Sequence, residues 1–112
     1  VAVPCGAETH HFIDGHVFAS MQAHAHLINI ARGDVVDETA LIAALQGGQI
    51  AGAGLDVYEF EPKVPKALTA LDTVTVLPHL GTAALEVRIA MGMVAVENLA
   101  AFLSGNDVPN PV

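Results

Sequence analysis

The stretch DETALIAALQGGQIAGAGLDVYEFEP, Asp37 to Pro62, contains a helix, a buried strand and an acidic loop in succession. Asp37 stands where a side-chain oxygen can cap free N–H groups, Glu38 follows in the first turn, and Leu41, Ile42 and Leu45 share one face. The glycine pair Gly47 and Gly48 then gives the stop expected of a helix. Ile50 to Val57 is an apolar run whose glycines allow a second backbone to approach closely, and it delivers Asp56 at its end. The loop that follows at once holds Glu59 and Glu61, so three carboxylates fall within the eight residues from Leu55 to Pro62.

The same alternation extends in both directions. Upstream, Ile13 to Gln22 has Asp14 as a cap and Val17, Phe18 and Met21 on one face, which predicts a short helix. His26 to Ala31 is a β-branched run predicted to be a strand buried on both faces, stopping at Arg32 and Gly33. Downstream, Thr73 to Pro78 is a third strand that ends just before His79. Thr82 is the expected cap of a long amphipathic helix from Ala83 to about Leu103, with Met91 and Met93 as core residues and Gly105 as terminator. The opening triplet Val1 to Val3 has the composition of a strand entered part-way, followed by a turn from Pro4 to Gly6, and this abrupt start reads as that of a fragment. Strands separated by helices of this length run parallel with right-handed crossovers, so their C-terminal ends share one sheet edge. The fold class expected is α/β, a parallel sheet with flanking helices.

Bulk properties narrow the function. A chain of 112 residues is one domain in length and buries only about two thirds of its unfolded surface. Its 53% hydrophobic and 4% aromatic content describes an interior of Ala, Val, Leu and Ile. A formal charge of −8 with four Lys and Arg argues against a nucleic-acid partner, which needs a basic face to neutralise phosphates. No apolar run approaches the roughly 20 residues of a membrane span, and the N-terminus lacks a secretory signal's basic flank, so no membrane partner is expected. The single cysteine, Cys5, excludes an internal disulfide and fits a reducing compartment, the cytoplasm; it reads as a small buried or turn residue. His10 and His11 are adjacent on a turn, and His24 and His26 lead into a strand, a spacing that does not build a metal site.

In open parallel sheets ligands bind beyond the carboxyl ends of the strands, which is where Arg32, Asp56, Glu59, Glu61, His79 and Gly81 all fall. A guanidinium, a carboxylate and an imidazole at one edge can bind an anion, orient a histidine and move a proton. A reaction on a carbonyl beside a carboxylate has those needs. Taken singly, Arg32 is also an ordinary surface arginine, the acidic run a solvated turn and His79 a loop histidine. The functional reading gains from three consecutive strand ends each supplying one useful group.

The run LINIARGDVVDETALIAALQGGQIAGAGLDVYEFEP followed by LPHLGT, with VPCGAETHHFID before it and PNPV at the end, resembles the D-isomer-specific 2-hydroxyacid dehydrogenases, especially the glyoxylate/hydroxypyruvate reductase branch. The resemblance implies the second half of a Rossmann-like NAD(P)-binding domain, residues 1–82, plus a C-terminal helix and tail, 83–112. By position, Arg32 resembles the substrate-binding arginine, Glu61 before Pro62 the carboxylate that pairs with the catalytic histidine, and His79 in PHLG that histidine, the general acid. Asp56 resembles the residue that bonds the nicotinamide carboxamide. Ile30, Ala31, Arg32, His79, Gly81 and Thr82 resemble the walls of the nicotinamide pocket, and the turn at Pro4 approaches the cofactor. Glu59 acquires no role, the PCG turn departs from the commoner forms of its loop, and Phe60 stands where a polar residue is expected. No G-x-G-x-x-G occurs, so the choice between NAD and NADP is not readable and the chain alone is expected to be inactive. The implied substrate is a small 2-oxo or 2-hydroxy acid. A bare first strand and an apolar last helix predict a homo-oligomer, and the competing readings are a self-associating half-sheet module or a weak small-ligand binder.

Overall fold

The computed structural model describes residues 1–111, which fall into two compact units, Val1–His79 and a second one beginning at Leu80. The first unit runs α1 (Gly15–Ser20), β1 (His26–Asn29), α2 (Glu38–Gln46), β2 (Gly52–Leu55), α3 (Lys66–Thr69) and β3 (Val74–Val76), with a single 3-10 turn at Gly33–Val35. The second holds α4 (Leu85–Leu103).

The three strands form one sheet, parallel as the alternating pattern predicts, in the order β1-β2-β3. The register sets Asn29 beside Leu55 and Leu55 beside Val76, so the strands end abreast. Close pairing of β2 and β3 depends on glycine: a Cβ at Gly52 would lie 2.5 Å from the Thr73 carbonyl oxygen.

Local chemistry fixes the helix starts. Asp14 accepts from the N–H groups of His16 and Val17 at the head of α1, and Asp37 accepts from Ala40 N–H at 2.9 Å at the head of α2. Gly48, at φ +64, follows the end of α2. Phe18, Leu41 and Leu45 of these helices pack on Leu27, Ala53 and Leu55 of the sheet, and Leu68 of α3 completes the cluster.

Four expectations need correction. β1 is buried on one face only: Leu27 and Asn29 point into the cluster, whereas Ile28 and Ile30 are exposed, because the core helices pack on a single side. Val1 to Val3 is not a strand. Val1 alone engages β1, donating to Ile28 O and accepting from Ile30 N–H, before the chain departs toward Pro4. The cap position of α4 is Ala84, without a side-chain hydrogen bond, rather than Thr82, since the helix begins only at Leu85. No residue of α4 is buried, Met91 and Met93 included, because its apolar side chains lie all round the helix and outnumber what its own unit can cover. Gly105, at φ +71, does end that helix, its N–H donating to Phe102 O.

Candidate active site

Three segments leave the sheet at the edge where the strands end. Arg32 lies three residues beyond β1, Asp56 directly beyond β2, and His79 three residues beyond β3.

The first segment is held by Asn29, a fully buried residue whose Oδ1 accepts from Ala31 N–H and whose Nδ2 donates to Arg32 O, both at 3.0 Å. Arg32 itself is exposed, and its Nη1 donates to Ala31 O at 2.7 Å. Gly33 follows because no side chain fits: a Cβ there would lie 1.9 Å from the Tyr58 carbonyl carbon and oxygen. This crossing brings the β1 turn against the acidic loop.

The second segment is fastened from within. Asp56 is buried at the end of β2, its N–H donating to Asn29 O at 3.1 Å. The Tyr58 hydroxyl lies 3.1 Å from Leu55 O and 2.8 Å from Leu77 O, which ties the ends of β2 and β3 together. Tyr58 N–H donates to Glu61 Oε1 at 3.0 Å.

The third segment meets the second there. His79 Nδ1 is 2.9 Å from Glu61 Oε2, and because an ionised carboxylate only accepts, Nδ1 carries the proton and Nε2 faces away from the pair. The backbone at His79 is left-handed, with φ +55, an uncommon state for a histidine that recurs at functional positions. Burial alone would raise the Glu61 carboxyl. The hydrogen bonds from His79 and Tyr58 N–H, with the charges of His79 and Arg32, outweigh it and hold Glu61 below the usual carboxylate range.

The sequence-derived candidates therefore assemble in part. Glu61 and His79 are in contact, and the charge of Arg32 reaches Glu61. Both members of the pair line a cavity of about 280 Å³ with Tyr58, Val64, Val76 and Leu77. Pro4, Ile30, Ala31 and Arg32 line a separate, larger cavity of about 480 Å³, with Val3 and Cys5. Gly81 and Thr82 are exposed at the start of the second unit, and Phe60 is exposed on its loop.

Sequence reading missed three contributors. Asn29 and Tyr58 act through hydrogen bonds to main-chain groups, and a lone asparagine in an apolar run was the available signal. Glu59 is a fastening point: its Oε1 is 2.9 Å from His11 Nε2, and its Oε2 accepts from Glu38 N–H. Nothing in the sequence announces a partner 48 residues away. Among the described residues, no group of three or more His, Cys, Asp or Glu side chains is placed to hold a metal ion. No helix among them is long and apolar enough to cross a membrane.

Residues 1–81 match the model of the D-isomer specific 2-hydroxyacid dehydrogenase NAD-binding domain. The chain belongs to this family. It is 46% identical over 112 residues to a glyoxylate/hydroxypyruvate reductase A of Arabidopsis thaliana, covering all of the chain and 36% of that protein. It is 50% identical over 105 residues to glyoxylate/hydroxypyruvate reductase B of Escherichia fergusonii, covering 93% of the chain and 32% of that protein. Among solved structures, it superposes with a TM-score of 0.97, at 45% identity, on the NADPH-dependent glyoxylate/hydroxypyruvate reductase of Sinorhizobium meliloti in complex with NADP and malonate. That match takes in 100% of this chain and 35% of the Sinorhizobium chain. The chain thus spans about a third of the length of these relatives, and its parallel sheet matches part of their Rossmann-type nucleotide-binding domain.

Proposed function

We propose that this chain supplies the catalytic part of an NAD(P)-dependent reductase that converts a small 2-oxo acid, of the glyoxylate or hydroxypyruvate type, to a D-2-hydroxy acid. The observation that carries this reading is the 2.9 Å bond between Glu61 Oε2 and His79 Nδ1, at the strand ends where Arg32 also emerges. Arg32 binds the substrate carboxylate through its forked N–H donors and draws electron density from the neighbouring carbonyl. Glu61 holds the His79 ring by Nδ1, which leaves Nε2 as the acid facing the substrate. The nicotinamide, when bound, supplies the hydride. As the carbonyl is reduced its π electron pair goes to oxygen, which would take the proton from Nε2 of the His79 imidazolium, and the ring is left neutral with its remaining proton on Nδ1, hydrogen-bonded to Glu61 Oε2.

The cavity beside Arg32 suits the nicotinamide end of the cofactor, with Val3, Ile30 and Ala31 as an apolar wall for a flat ring and a cationic rim at Arg32. Pro4, Ile30, Ala31, Arg32, Asp56, His79, Gly81 and Thr82 are the cofactor-contacting residues in this reading, and either NAD or NADP satisfies it. An acidic chain with a single cysteine suits the cytoplasm.

The test is to graft this chain in place of the matching third of the Sinorhizobium reductase and assay glyoxylate reduction, with NADPH binding as the check on folding. His79→Ala is expected to lower kcat by about a hundred- to ten-thousand-fold, the effect of losing a general acid. Arg32→Ala is expected to raise KM, by loss of the carboxylate contact, and also to lower kcat, by loss of the pull on the carbonyl. A folded His79→Ala graft that turns over at the parent rate would remove His79 from the mechanism.

A further inference from the structure

We infer that Asn29 is a positioning residue for Arg32. This inference rests on the reading of Arg32 as the carboxylate-binding group. Asn29 closes β1 and is 1% exposed, on the same side of the sheet as Leu27 and the adjacent Leu55. An apolar side chain would pack there without the desolvation that a buried amide incurs. The amide is retained together with partners for both of its ends: Oδ1 takes the Ala31 N–H and Nδ2 gives to the Arg32 carbonyl, each at 3.0 Å.

These bonds bracket Arg32. The Ala31 N–H before it and its own carbonyl are both referenced to a side chain locked in the core, and between them Arg32 is extended at φ −141 and ψ 151 before the 3-10 turn at Gly33. The guanidinium is referenced to the same framework, since Nη1 donates to the Ala31 carbonyl at 2.7 Å. The main-chain carbonyl of Asn29 accepts the N–H of Asp56, so this one residue also fixes the spacing between the ends of β1 and β2. Asn29 touches neither reactant in this scheme. It acts by limiting where Arg32 can be.

The experiment is solution NMR on the 112-residue chain, with Asn29→Ala, Asn29→Asp and, as a remote core control, Leu68→Ala. Leu68 is fully buried in α3 and bonds to no part of the Arg32 turn. Asn29→Ala is expected to speed exchange of the Ala31 amide by about tenfold or more, the effect of losing one buried hydrogen bond, and to raise the mobility of residues 30–33 and of the Arg32 Nε–H. Leu68→Ala should lower overall stability without singling out those residues. Asn29→Asp should behave like Asn29→Ala at neutral pH and recover order on acidification. The protonated acid, like the amide, offers an acceptor to Ala31 and a donor to Arg32, and a buried aspartic acid titrates above its usual value of about 3.9.

Unchanged exchange and order around Arg32 in Asn29→Ala would overturn the inference. So would the same selective loss in Leu68→Ala, or an Asn29→Asp chain whose Arg32 turn ignores pH. The two readings fail separately. If Arg32 loses order with Asn29 but Arg32→Ala leaves KM intact in the grafted reductase, the positioning stands and the anion-binding role falls.

Discussion

Replacing Gly33 with alanine should damage stability and site geometry together, and the structure gives the size of the effect. The new Cβ would sit 1.9 Å from the Tyr58 carbonyl carbon and oxygen and 2.4 Å from Glu59 N. All of these are backbone atoms, so no side-chain rotation relieves the overlap. Restoring an ordinary contact requires the Arg32 turn and the acidic loop to part by about 1.5 Å. That displacement is far beyond the slack in the Tyr58 hydroxyl contact to Leu77 O, now 2.8 Å, or in Tyr58 N–H to Glu61, now 3.0 Å. Overpacking costs about 1–3 kcal/mol, and the two bonds lost add about 1 kcal/mol each, so about 3–5 kcal/mol is expected from a total of roughly 5–15. In the grafted enzyme, a shift of about 1 Å between Arg32 and His79 is expected to lower turnover about a hundredfold. The assay is urea unfolding of the chain, with the His79 ring resonance as a probe of its pairing to Glu61. Gly48 is the control: its φ is +64 with open space where a Cβ would go, so Gly48→Ala should cost about 1 kcal/mol for backbone conformation alone and spare the His79 signal. A Gly33→Ala chain within about 0.5 kcal/mol of the parent, with that signal intact, would refute the contact argument.

The remaining expectations concern charge, capping and association. His11 is raised above 6.5, first by its hydrogen bond to Glu59 against the opposing effect of burial, then by the charges of Glu59, Asp37 and Asp34. A raised histidine stabilises fully below its unfolded value and loses that contribution as pH rises through the folded one. The urea midpoint should therefore fall as pH rises from 6.5 in the parent and be flatter in His11→Gln; equal slopes would remove the pair from the pH response. Asp37→Ala should cost about 1 kcal/mol by uncapping α2, read as a lower urea midpoint at unchanged slope. Leu85, Ile89, Val96, Leu99 and Phe102 of α4 are all exposed, so the chain should self-associate, and sedimentation giving only an 11.6 kDa species at high micromolar concentration would contradict this.

Much of the architecture was legible because it rests on local chemistry. Asp14 and Asp37 mark helix starts through their own side chains, and Gly48 and Gly105 sit near helix ends in the left-handed region that glycine favours. Parallel direction follows from alternation with helices, and that places Arg32, Asp56 and His79 at one edge, whereas the strand order does not follow from it. What stayed hidden depends on what covers a surface. An apolar run such as His26 to Ala31 carries no mark of whether one face or two are buried, and Ile28 and Ile30 prove exposed. The apolar residues of α4 wind round the whole helix, so its pattern names no buried face. The 3-10 turn at Gly33 and the short α3 are too brief for periodicity to register. Asn29, Tyr58 and Glu59 escaped because each works through partners that only the folded chain brings near.

Those partners decide what the acidic loop is. Three carboxylates within eight residues would repel one another in a solvated turn and be free to spread apart. Here Asp56 is buried at the strand end, Glu59 takes the His11 ring on one side and Glu38 N–H on the other, and Glu61 takes the His79 ring and Tyr58 N–H. Glu38, whose carboxyl burial pushes upward, answers Glu59 in return by accepting from its N–H. Two glutamates separated only by Phe60 thus each take one histidine, from residues 11 and 79, and both histidines have left-handed backbones, φ 50 and φ 55. A loop fastened in this way from both ends of the sequence has little freedom left. The position of Glu61, and with it the direction in which His79 Nε2 faces, is a property of the folded unit and not of the loop alone.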